Sequence, residues 1–210
     1  MTLILVTKRK EFAVLAAEQF HGGVSRAYCQ KVVLHPNPAI PIAFAIGGTA
    51  HLLLNGDAAP ATKHLLDFAN EIVSADELDL TSIAKRLEQR MSPSIEEKKG
   101  NAGVFIALVR NGEAAVGVQC FAYLDDRVKC TFYAESRRWL PGEIEAAFDA
   151  SDWELLHDPT NTDSDSVAEQ ARKLLQKGID HDERLHGGQH ESCGGKVDVV
   201  IVDSAGARLK

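Results

Sequence analysis

Basic residues are in deficit. There are 23 Lys and Arg against 30 Asp and Glu, a formal charge of -7. A nucleic-acid binder needs a basic face, so that class of partner is not expected. Cysteines are few: Cys29, Cys120, Cys130 and Cys193, with no C-x-x-C pair among them. They are expected as reduced thiols, mostly buried, in a cytoplasmic protein. No apolar run is long enough to span a membrane. At the start, the apolar residues 3–6 precede Lys8, Arg9 and Lys10, the reverse of a secretory signal. What is present is ordinary for a folded chain, with 45% apolar and 25% charged residues. A length of 210 residues suffices for one large core. With no repeat and no linker visible, a single domain over 1–210 is expected.

The apolar stretches 3–6 and 12–17 are β-rich and predict a buried hairpin. A third strand is expected over 27–34, closed by His35-Pro36-Asn37-Pro38. A fourth, over 41–46, runs into Gly47-Gly48. The period then changes. Leu65, Phe68, Ala69 and Ile72 fall at helical spacing, as do Leu80, Ile83, Ala84, Leu87 and Met91. Asp79 or Thr81 is expected to cap this second helix, and Ser92-Pro93 to end it. Apolar runs 104–109 and 114–123 flank Asn111-Gly112, a strong hairpin signal. Beyond them are expected a strand over 128–134, a short helix over 143–148 and an acidic, solvated loop over 159–166. A helix over about 167–186 and a last strand over 197–202 complete the chain. Runs of strands alternating with runs of helices predict an α+β fold.

Several features now fall in order. Thr2 opens the first strand, and Glu18 closes the second. Lys31 precedes Val32-Val33-Leu34, and Ile46-Gly47-Gly48-Thr49-Ala50 leads out of the fourth strand. Cys193-Gly194-Gly195-Lys196-Val197-Asp198 enters the last strand. In this order the chain resembles the proteasome β-subunit family, and within it the bacterial HslV-type branch. The resemblance implies a four-layer αββα sandwich of the N-terminal-nucleophile hydrolase type. It implies that Thr2, freed by removal of Met1, is the nucleophile. Its own α-amine would serve as base, since a threonine hydroxyl is inert without one. Lys31 would supply positive charge beside Thr2, Glu18 would hold Lys31, and Ser136 would support the amine. The N–H of Gly47, at the start of a helix, would stabilise the oxyanion. Ala45, Gly48 and Thr49 would line the substrate pocket, with His190 and Cys193 as supporting residues.

The chain departs from that family at several of these positions. Glu18 stands where aspartate is usual. The turn that is usually Gly-Ser-Gly reads Ala134-Glu135-Ser136-Arg137. His190 and Cys193 replace an aspartate and a serine. Two functions are therefore carried forward. One is a threonine peptidase subunit of a homo-oligomeric ring, stacked as a double ring, cutting polypeptides and fed by an ATP-driven unfoldase. The other is an inactive subunit of such an assembly, acting as scaffold or peptide binder. No cofactor is expected. His181, His186, His190 and Cys193 form a cluster of metal-ligand types. Their spacing matches no zinc signature, so a polar helix end is expected there, with no metal.

Overall fold

The computed structural model describes residues 2–21, 27–28, 30–48, 59–189 and 193–210. Largely apolar runs, buried on both faces in the central strands, build two five-stranded antiparallel sheets. The first has the order β10-β1-β2-β11-β12, from β1 (Ile4–Lys8), β2 (Ala13–Glu18), β10 (Arg137–Trp139), β11 (Val197–Asp203) and β12 (Gly206–Leu209). The second has the order β5-β6-β7-β8-β9, from β5 (Val32–Leu34), β6 (Ile42–Gly48), β7 (Asn101–Arg110), β8 (Glu113–Leu124) and β9 (Arg127–Tyr133). The short strands β3 (Phe20–His21) and β4 (Ala27–Tyr28) pair with each other.

Alternate residues of each strand serve different cores. Ile4, Val6, Leu15 and Val200 of the first sheet meet Ala43, Ala45, Phe105 and Val116 of the second. The opposite face of the first sheet, with Leu5, Val14, Val199 and Ile201, is covered by three helices. These are α3 (Gly142–Glu145), α4 (Ala150–His157) and α5 (Ser164–Leu185). The outer face of the second sheet, with Phe44, Ile46 and Ile106, is covered by α1 (Ala59–Asn70) and α2 (Leu80–Lys98). The layers thus run helix, sheet, sheet, helix, and the fold is α+β with two antiparallel sheets. No helix among the described residues is long and apolar enough to cross a membrane.

Several expectations are corrected. The stretch 27–34 is divided into β4 and β5, with Gln30 and Lys31 in neither. Helix α2 does not stop at Ser92-Pro93 but holds Pro93 inside it. Leu87, Met91 and Ile95 recur at four-residue spacing in one buried cluster. Burial of Ile95 carries the helix on until Lys99, in the left-handed region at φ 52, caps it. The short helix expected over 143–148 is α3, which ends at Glu145, and α4 is a further element, capped by Asp149 with a capping box. β10 and β12 are further elements. At the expected hairpin, Asn111 and Gly112 have φ 52 and 77, as a two-residue turn with both central φ positive requires.

Candidate functional site

Three strand ladders converge beside Thr2. In the first, β1 pairs with β2 so that Ile4 faces Ala17, and just beyond that pair the Glu18 N–H donates to the Leu3 carbonyl at 3.1 Å. In the second, β2 pairs with β11, so that Glu18 faces Val197 and the chain entering β11 passes Glu18. In the third, β5 pairs with β6, and the Ile46 N–H donates to the Lys31 carbonyl at 3.2 Å. Side-chain alternation fixes each register, because a one-residue slip would turn an apolar row away from its core.

At the junction the Lys31 ammonium donates to Thr2 Oγ1 at 3.1 Å. It also forms an ion pair with Glu18 Oε1. The same Oε1 accepts the Leu3 N–H at 3.2 Å, and Glu18 Oε2 accepts the Gly194 N–H at 3.3 Å. Thr2 and Glu18 are 0% exposed and Lys31 is 2% exposed. A lysine and a carboxylate this deeply enclosed persist only because they are paired and further hydrogen-bonded. Gly47 closes one side. A Cβ added there would lie 3.2 Å from Thr2 Cγ2 and 3.0 Å from Ile4 Cδ1, so glycine admits the threonine side chain. Across from Gly47 in the ladder stands Gly103, and a Cβ there would lie 2.3 Å from the Trp139 ring. Two facing glycines thus leave room for Trp139 and Thr2 between the sheets. Gly48 has φ +90, and its Cβ would lie 2.6 Å from the Asn101 carbonyl oxygen. Its place is fixed by backbone conformation.

Thr2, Glu18, Lys31 and Gly47 are therefore brought together as expected from sequence. Other calls are corrected. Gly47 is not at a helix start; it lies inside β6, opposite Gly103. Ser136 is not at the site. Arg137 pairs with Val6, so Ser136 lies near the Thr7 end of β1. That is about 17 Å along the strand from Thr2, at roughly 3.4 Å per residue. Ala45 is fully buried between the sheets, in one cluster with Ala17, Val32 and Phe105, and forms core there. Thr49 and His190 lie outside the described residues.

Cys193 supports the site through its backbone. Its N–H donates to Asp182 Oδ2 at 3.4 Å, and the next residue, Gly194, donates to Glu18. Its thiol points to the Gly178 carbonyl at 3.9 Å. Burial first, then the Asp182 and Glu18 carboxylates, pushes that thiol far above the usual range, so it remains protonated. Asp182 is the residue sequence reasoning missed. It is 0% exposed, on α5. A signal was there: Ala171, Leu175, Gly178 and Asp182 share one buried helical phase, so a carboxylate sits within an apolar stripe. Of the histidine cluster, His181 lies on α5 and His186 caps its end, with Nδ1 3.2 Å from Asp182 Oδ1.

Chemically, the junction offers a hydroxyl beside an ammonium that a buried carboxylate holds in place. No protein-family model matches the chain, and no curated protein matches it significantly.

Proposed function

We propose that the chain is an N-terminal-nucleophile hydrolase of the proteasome type, a threonine peptidase whose Thr2 acts once the peptide bond before it has been cut. The observation that carries this reading is the 3.1 Å contact between Lys31 Nζ and Thr2 Oγ1, beside the enclosed Glu18 carboxylate that pairs with Lys31. With Thr2 at the chain start, its α-amine takes the hydroxyl proton as Oγ1 attacks a peptide carbonyl. Lys31 places a fixed positive charge where the alkoxide develops, and enclosure strengthens that interaction. The amine then returns the proton to the leaving nitrogen, and water releases the acyl group from Oγ1. Lys31 acts on Thr2 directly, whereas Glu18 is a positioning residue. A homo-oligomeric ring, stacked as a double ring, with an unfolded polypeptide as substrate and an ATP-driven unfoldase as feeder, belongs to this proposal.

A specific observation favours the second reading, an inactive scaffold or peptide-binding subunit. Ser136, expected to support the amine, lies at the far end of β1, next to the residue that pairs with Val6. A fluorogenic-peptide assay on protein whose N-terminus reads Thr2 separates the two. Turnover that is lost in Thr2→Ala supports the peptidase. Absence of turnover, with the assembly intact, supports the scaffold.

A further inference from the structure

The side chains of Glu143, Asp182 and His186 place their ligand atoms within 4.8 Å of one another. We propose that these three residues bind a divalent first-row transition ion, of the zinc or manganese class, that fastens helix α3 to the end of α5.

The site is built by helix geometry. Asp182 and His186 are four residues apart at the end of α5, so their side chains lie one above the other on the same face. His186 Nδ1 is 3.2 Å from Asp182 Oδ1. Two ligands around one ion with bonds of about 2.1 Å stand about 3.4 Å apart in a tetrahedral shell, so this pair is already at ligand spacing. Glu143 comes from α3. Gly178, one turn before Asp182, is what lets α3 approach. A Cβ at 178 would lie 3.2 Å from Ile144 Cγ2 and 3.1 Å from Phe148 Cζ. Ile144 is thereby seated on α5 beside Gly178, and its neighbour Glu143 reaches the Asp182 level.

The donor set selects the ion. Two carboxylates and one imidazole suit zinc, manganese or iron(II), whereas calcium and magnesium take oxygen ligands. Asp182 is fully enclosed, and there a carboxylate favours ligands that bring positive charge. Glu143 is exposed and His186 part-exposed, which gives an ion a path in. Before binding, His186 Nδ1 also faces the Asp182 carbonyl at 3.0 Å. An ion on Nδ1 binds the imidazole tautomer that carries its hydrogen on Nε2. Asp182 Oδ2 holds the Cys193 N–H, and Gly194 holds Glu18. An ion fixing Asp182 thus also steadies the chain that reaches the Lys31 pocket.

The test uses the full chain, stripped with a chelator and titrated with Zn2+, Mn2+ and Ca2+. Calorimetry should find one Zn2+ or Mn2+ per chain and no Ca2+. The melting temperature should rise by about 5–10 °C when free ion exceeds Kd a hundredfold. Glu143→Ala, on the exposed side, should keep the ion-free melting temperature, whereas His186→Ala also removes the ring beside Asp182 and should lower it; both should weaken binding at least tenfold. Asp182→Asn should do the same if it folds; the other two variants decide the matter if it does not. Absence of stoichiometric binding by the wild-type chain would overturn the proposal. So would binding that is unchanged in both His186→Ala and Glu143→Ala, since the ion would then sit elsewhere. No step of this test reads hydrolysis, so its outcome is separate from that of the peptidase reading.

Discussion

Lys31 bridges Thr2 and Glu18: its ammonium donates to Thr2 Oγ1 at 3.1 Å while it pairs with Glu18 Oε1. All three side chains are enclosed, so chemistry and stability are linked at this point. Lys31→Met should abolish hydrolysis. It should also take the ammonium partner away from the enclosed Glu18 carboxylate, which costs about 3–5 kcal/mol. For a chain of this size that is a fall in melting temperature of about 10 °C. Adding Glu18→Gln should recover most of that loss without restoring turnover. Thermal denaturation of the two variants, beside a peptide assay, checks both statements.

Glu18→Asp separates reach from charge. Glu18 Oε1 meets Lys31 and the Leu3 N–H, and Oε2 meets the Gly194 N–H. A carboxylate shorter by one methylene cannot keep both sides. The rate of Thr2 modification should therefore fall about 10- to 100-fold, as for a misplacement of about 1 Å. A rate that rises would mean that glutamate holds Lys31 away from its best position.

The turn out of β6 depends on Gly48. With φ +90 and the Asn101 carbonyl 2.6 Å from the position of a Cβ, alanine there meets both strain and collision. Gly48→Ala should cost at least about 1–3 kcal/mol. A melting temperature within 1–2 °C of the wild type, at roughly 2–4 °C per kcal/mol, would contradict this.

Asp198 provides a pH-dependent term. Burial raises its carboxyl above the usual range, although Gln19, donating to Oδ1 at 2.9 Å, Arg172 and Lys196 oppose that. Its Oδ2 has no hydrogen-bond partner among the described residues. A raised folded-state value means that the folded chain holds this proton to higher pH than the unfolded chain does. Stability is therefore lost as pH rises from about 4, the unfolded value, through the folded one. Asp198→Asn removes that loss. It should raise the melting temperature at pH 7, and the gain should shrink towards zero near pH 4. A gain independent of pH would show that ionisation is not the cause.

The parts of this site that could be read from sequence are those carried by strands. Thr2, Glu18 and Gly47 each stand at the end of an apolar run, and strand pairing fixes which row they occupy. Lys31 follows from its place just before β5. Ser136 was misplaced because a nearby strand in sequence does not reveal its partner's register; only the Arg137–Val6 pair does. Asp182 stands in phase with the apolar stripe of α5 as a carboxylate among apolar neighbours, but its use depends on how α3 docks at Gly178. Pro93 looked like a stop because local propensity was weighed without the buried Ile95 two residues beyond it.

The most direct test is the intact mass of the protein from its native host, before and after treatment with a threonine-directed electrophile. The account predicts an N-terminus at Thr2, one adduct per active chain on Thr2, and none in Lys31→Met. An N-terminus that retains Met1 in folded protein, or a free Thr2 that takes no adduct, would contradict it.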